Sequence, residues 1–137
     1  MFKKDDAFDI MIKQLFNADF FPDMGVEEVW RPLTDIYHTD EGLVVKMELA
    51  GCLPKDIHIA LDGKRLIVSG VKKDIPDSRK VSYQQMEITY GPFRRTIVLP
   101  SIVDTKKVKA KYDNGILKIE LAFAQEDAGE LIVIDLI

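Results

Sequence analysis

The apolar positions of this chain follow two periods, and the change between them divides it. Near the N-terminus, Phe8, Met11, Ile12, Leu15 and Phe16 recur at the i, i+3, i+4, i+7, i+8 spacing of one helix face. Phe20, Phe21 and Pro22 follow, so the proline stops that helix and leaves two aromatics in a loop. From about Leu33 the period is two, the spacing at which strand side chains alternate between faces. Residues 33–38 and 43–49 form a first strand pair around Thr39-Asp40-Glu41-Gly42. Gly51 to Asp56, containing Pro54, is a turn. Ile57, Ile59 and Leu61 then alternate, Asp62-Gly63 turns the chain, and Leu66-Ile67-Val68 begins the return. Residues 93–99 make another strand, ended by Pro100. Val108, Ala110 and Tyr112 share a face before Asn114-Gly115, and Leu117, Ile119, Leu121 and Phe123 alternate after it. Asn-Gly between two such runs signals a hairpin, because a type I′ turn needs φ > 0 at both central positions. Short strands with turn signals at this spacing predict an all-β domain, an antiparallel β-sandwich.

Two stretches break the alternation. Between Val71 and Gly91 lies a long segment, charged in its first half, with Pro76 and one strand-like piece, Val81-Ser82-Tyr83-Gln84. A connection longer than about 12–15 residues in a compact domain is usually functional or disordered. A strand isolated in such a loop needs a sheet edge, and a partner subunit can supply one. After Phe123 the chain is acidic and patternless until the dyad Ile132-Val133-Ile134. That dyad has two readings: a hook that inserts into a neighbouring copy, or a last strand of its own domain, extended by Leu131, Leu136 and Ile137. The expected organisation is an arm over 1–29, a β-domain over 30–123 and an extension over 124–137.

Composition narrows the possibilities. At 137 residues the chain is one domain with attached arms, and 47% hydrophobic with 31% charged residues is a soluble globular balance. A net charge of −4 argues against nucleic-acid binding, which rests on clustered Lys and Arg. Lys72-Lys73 and Lys106-Lys107 read as solvated strand ends. The single Cys52 excludes an intramolecular disulfide and suits a reducing compartment; it is expected to be a surface or half-buried structural thiol. No apolar run reaches the roughly 18 residues of a membrane span. Asp5, Asp6, Asp9 and Lys13 break up any signal-peptide core, which leaves the cytoplasm as the expected location. Of seven Phe, five (Phe2, Phe8, Phe16, Phe20, Phe21) sit in the arm. The arm is therefore either a helix packed on its own domain or an exposed apolar element for assembly and binding.

No chemistry of catalysis stands out, and no enzyme or cofactor is expected. There is no phosphate-cradling loop, nucleophile elbow or metal-ligand spacing. His38 and His58 fall on separate predicted strands, and with Cys52 they make neither a metal site nor a triad. Asp40-Glu41 and Glu27-Glu28 are adjacent carboxylates, which point apart on a strand and suit turns or caps.

Four motifs, in order along the chain, carry a resemblance. Glu48-Leu49-Ala50-Gly51 followed by Lys55-Asp56-Ile57 is similar to an E-L-P-G…K-D-I segment, with Ala50 in place of the usual proline. Tyr90-Gly91-Pro92-Phe93-Arg94-Arg95 with Leu99-Pro100 resembles a G-x-F-x-R…L-P strand. Ala110, Asn114, Gly115, Ile116 and Leu117 fit the signature A-x-x-x-N-G-V/I-L, and Ile132-Val133-Ile134 fits an I-x-I/V tail. The chain thus resembles the small heat-shock proteins, the α-crystallin-domain family, in the bacterial and plant type whose loop strand is exchanged between subunits. The resemblance implies an immunoglobulin-like sandwich, dimers that build larger oligomers, and an ATP-independent holdase that binds unfolding client proteins.

Site expectations follow from it. Ile132 and Ile134 should enter a groove of a neighbouring subunit, walled by Ile57, Ile59 and Leu61 on one side and Val108 and Ala110 on the other. The dimer should form through Val81, Ser82, Tyr83 and Gln84, with Arg95, which matches the family's F-x-R arginine, at the interface. Phe8, Met11, Ile12, Leu15, Phe16, Phe20 and Phe21 should contact clients. Two rivals lead elsewhere: a β-sandwich co-chaperone adaptor that binds a folded chaperone, and a purely structural self-assembling protein.

Overall fold

A computed structural model of the chain describes residues 30–124 and 131–137. The predicted arm helix and its residues Phe8, Met11, Ile12, Leu15, Phe16, Phe20 and Phe21 lie outside the described residues. Eight strands run in chain order: β1 Thr34–His38, β2 Gly42–Glu48, β3 Ile57–Asp62, β4 Arg65–Lys72, β5 Gly91–Val98, β6 Lys109–Asp113, β7 Ile116–Ala122 and β8 Leu131–Ile134. They form two four-stranded sheets, ordered β1-β2-β7-β6 and β5-β4-β3-β8, with every ladder antiparallel. The fold is the all-β sandwich that the alternation predicts.

Turn chemistry sets the registers. Asn114 and Gly115 both take positive φ, 53° and 78°, which is the type I′ geometry that joins β6 to β7. That turn opposes Tyr112 to Leu117 and Ala110 to Ile119, so both apolar faces point the same way. The β1–β2 turn is held by the Thr39 hydroxyl, which accepts from the backbone N–H of Glu41 and Gly42. Between the sheets lies one core, in which Val45, Met47, Leu49, Leu66, Val68, Phe93, Leu117 and Ile119 are buried. Gly70 sits against it because a Cβ there would meet the Asp56 carbonyl and the Phe93 ring.

Two expectations need adjustment, those for Cys52 and Phe123. Cys52 is buried in the core, where a surface or half-buried thiol was expected, because the turn after β2 folds inward beneath Tyr112. The Tyr112 hydroxyl donates to the carbonyls of Leu49 (2.6 Å) and Cys52 (3.0 Å), tying that turn to β6. Val81 to Gln84, expected to pair with a partner subunit, takes no strand within the single chain: residues 73–90 run outside both sheets, with Val81 96% exposed. Phe123 leaves β7 and forms a single bridge to Val103.

Candidate functional site

A two-layer sandwich has two flanks, each where an edge of one sheet faces an edge of the other. Here the edges are β6 and the β3 side on one flank, and β1 and β5 on the other.

On the first flank, inward-pointing Ile57, Ile59 and Leu61 of β3 are buried, as is Ala110 of β6, while Val108 packs against the core from just before β6. All five expected groove residues therefore lie along one seam. The structure holds one chain, and in it β8 occupies that seam. Ile134 pairs with Ile59 and Ile132 with Leu61. Ile134 joins the buried core, and Ile132 and Leu136 pack on it. Beyond β8 the tail crosses to the other sheet: Leu136 bridges Ala110, and the Ile137 N–H donates to the Ala110 carbonyl at 2.7 Å. Leu136 continues the inward series of Ile132 and Ile134 at the two-residue period and serves as its third anchor.

Burial shapes the titrations on this side. His58, on β3 beside the tail, is held below its ordinary value by burial, with Asp56 pulling the other way. Burial raises the Cys52 thiol, opposed by the charge of Lys72 and helped by Asp56. It also raises the Tyr112 phenol.

The second flank is polar. Arg95 sits on the inward face of β5 between Phe93 and Ile97, opposite Val68. Its guanidinium crosses to the other sheet and donates to the Pro32 carbonyl (2.6 Å) and the Thr34 hydroxyl (3.3 Å). Beside it Trp30 packs edge-on against Phe93, ring centroids 5.1 Å apart, and donates from Nε1 to the Gly91 carbonyl at 2.8 Å. Lys72 lies over the Trp30 and Tyr90 rings. Sequence reasoning placed Trp30 only at the domain boundary; its standing as the sole tryptophan, next to the arm, was the available signal.

From this flank hangs the loop 73–90. Ser82 and Gln84 are exposed with Val81 and Tyr83, and Ile75, Met86 and Ile88 add apolar surface. Local polar contacts shape it: Lys80 donates to the Tyr83 hydroxyl (2.7 Å) and to Asp74 (3.2 Å), and Arg79 pairs with Asp77. The neighbouring strand β1 is half-buried at Thr34 and exposed from Asp35 to His38, with Ile36 and Tyr37 turned partly to solvent. Among the described residues no group of His, Cys, Asp and Glu could hold a metal ion. None of their helices is long and apolar enough to cross a membrane.

The comparisons with known proteins converge. The profile described as "Hsp20/alpha crystallin family" matches residues 35–135. Small heat shock protein C2 of Rickettsia felis is 32% identical over 117 residues, covering 85% of this chain and 75% of its own. The crystal structure of hspA from Xanthomonas axonopodis superposes with a TM-score of 0.62 at 27% identity, over 72% of this chain and 98% of that one. Heat shock protein 16.0 from Schizosaccharomyces pombe shares the fold, with a TM-score of 0.66 at 24% identity over 74% and 94% of the two chains. With a profile match running from β1 to the tail, this chain belongs to the Hsp20/alpha-crystallin family, the small heat-shock proteins, which are proteins of chaperone type.

Proposed function

We propose that this chain is an ATP-independent holdase of the cytoplasm that keeps unfolding proteins from aggregating and assembles as oligomers of dimers. The observation that carries the reading is the tail seam: an apolar groove between two sheet edges, filled by a short strand that a six-residue segment joins to the sandwich. Fully burying an isoleucine contributes roughly 1.5–3 kcal/mol, and ordering a tail takes much of that back. A net of about −4 kcal/mol corresponds to a Kd near 1 mM, so one hook exchanges readily while many hooks hold through effective concentration. The groove that accepts its own tail offers the same register to the tail of a neighbour.

The dimer forms at the opposite flank. Val81 to Gln84 has no sheet partner within the chain, and β1 presents an exposed edge. The loop strand of one subunit adds to β1 of the other, with Arg95 beneath the junction. The apolar residues of the arm, Phe8 to Phe21, supply adaptable client contact, for which no nucleotide is needed.

The test is light scattering of an unstable protein heated with and without this chain, in the absence of ATP. Suppressed scattering at near-stoichiometric ratios is the expected result. Unchanged scattering would favour an adaptor for a folded chaperone or a purely architectural protein.

A further inference from the structure

The sheet β5-β4-β3-β8 has a second face, turned away from the core, and its centre is closed to solvent. Alternation along β4 sends Leu66 and Val68 inward and Ile67 and Ser69 outward. Ile67 is nevertheless only 1% exposed, Ala60 2% and Ser69 3%, and none of them belongs to the core between the sheets. The cross-strand neighbours of Ile67 on that face are Ala60 and Thr96, both too short to shield an isoleucine. On either side of this apolar centre stand arginines: Arg65 two residues before Ile67, and Arg94, which pairs in register with Ser69. His58 faces Ser69 from the other strand. The result is an apolar patch at the middle of a sheet, with an Arg65–Asp62 ion pair (2.9 Å) at one end and Arg94 at the other.

We propose that this outer face is the docking site for the arm of the same chain, residues 1–29. Three features of the arm fit it. Phe8, Met11, Ile12, Leu15 and Phe16 recur at the spacing of one helix face, a pattern that would supply an apolar stripe. Asp5, Asp6, Asp9, Asp19, Asp23, Glu27 and Glu28 stand against Lys3, Lys4 and Lys13, seven carboxylates to three lysines, or −4, opposite in sign to Arg94 at the end of the patch away from the Arg65–Asp62 pair. The arm also starts from the right place, since Trp30 is clamped to Phe93 and Gly91 at the β5 edge of this sheet.

Two measurements on the full chain test the docking. A photo-reactive p-benzoylphenylalanine introduced at Thr96, exposed beside Ile67, should cross-link to peptides from 1–29. Mixing isotopically labelled and unlabelled protein should show these links within one chain. Links only to other segments or between chains, or none, would overturn the proposal. Independently, Ile67→Ser should leave the far-UV spectrum of the sandwich in place yet speed proteolytic cleavage within the arm by about tenfold, since cleavage follows the open population. Arg94→Glu, which spares the apolar centre, should speed it less and in a salt-dependent way. Cleavage at the parent rate in both variants would refute the docking while leaving chaperone activity untouched as a question.

Discussion

The two flanks of this sandwich solve one problem in opposite ways. Each must seal the gap where two sheet edges meet, since an open edge exposes both core and unpaired backbone. On the β3–β6 flank the seal is a strand: β8 completes a ladder and buries Ile134, with Ile132 and Leu136 beside it. On the β1–β5 flank the seal is a guanidinium and a tryptophan, and the edges stay unpaired. A strand seal is apolar and tolerant of which copy supplies it, because ladder and pocket recognise any identical tail. An arginine seal is directional and built from groups fixed in the sandwich. The first suits the exchangeable joint proposed for the tail, and the second a permanent border beside the proposed dimer contact.

The largest way to break the comparison is to empty the strand seal. Ile132→Ala with Ile134→Ala removes one buried and one partly buried side chain. Buried Ile→Ala changes cost about 2–5 kcal/mol each, so the pair should cost about 3–6 kcal/mol of tail docking. That is enough to leave the groove empty most of the time. Native mass spectrometry should then show oligomers shrinking towards dimers. An unchanged size distribution would mean that the tail serves only its own sheet.

Removing the polar seal should cost less and act elsewhere. Arg95→Ala takes away two hydrogen bonds from a charged donor, each of a kind worth about 1.5–3 kcal/mol, and leaves the Pro32 carbonyl with the Thr34 hydroxyl alone. A net loss of about 2 kcal/mol is expected because water can enter at this half-buried site. Sedimentation should show dimers dissociating while the melting temperature falls by several degrees. A variant that sediments and melts like the parent would make Arg95 a solvated strand residue.

The contrast also explains what the sequence could tell. Strands β6 and β7 were the most legible because burial on one face enforces a period of two there, and Asn114-Gly115 pins their register. Ile57, Ile59, Leu61 and Ala110 share the inward side of that alternation and are buried, while which faces would line a groove for a neighbour's tail was left open by the pattern. The polar flank was less legible: nothing in a linear pattern says that a guanidinium on β5 will reach the Pro32 carbonyl, 63 positions away. Cys52 was misjudged for a related reason, because its burial depends on Tyr112, a residue 60 positions later, roofing the turn. The buried outer residues Ile67 and Ala60 gave no warning either, as alternation alone assigns them to solvent.

The smallest expected effect sharpens the comparison by making the strand seal sensitive to pH. His58 lies on β3, and one step beyond the Ile59–Ile134 pair the register sets Asp135 across from it. Lys55, His58 and Asp135 line one open cleft at the end of the tail, and Asp56 lies close by. The Asp56 carboxylate favours a charged imidazole, yet burial outweighs it and lowers the proton affinity of His58 in the folded chain. The unfolded chain, with an ordinary value of 6.5, therefore takes up the proton first as pH falls. The contribution of His58 to stability is complete above about pH 6.5 and is lost progressively below it. Urea melts at about pH 7 and about pH 5.5 should show the parent losing stability on acidification, and His58→Gln losing less. Asp56→Asn should lose more than the parent on acidification, since it removes the charge that helps the folded state tolerate the imidazolium. Equal slopes in all three proteins would show that the tail seam does not feel this histidine.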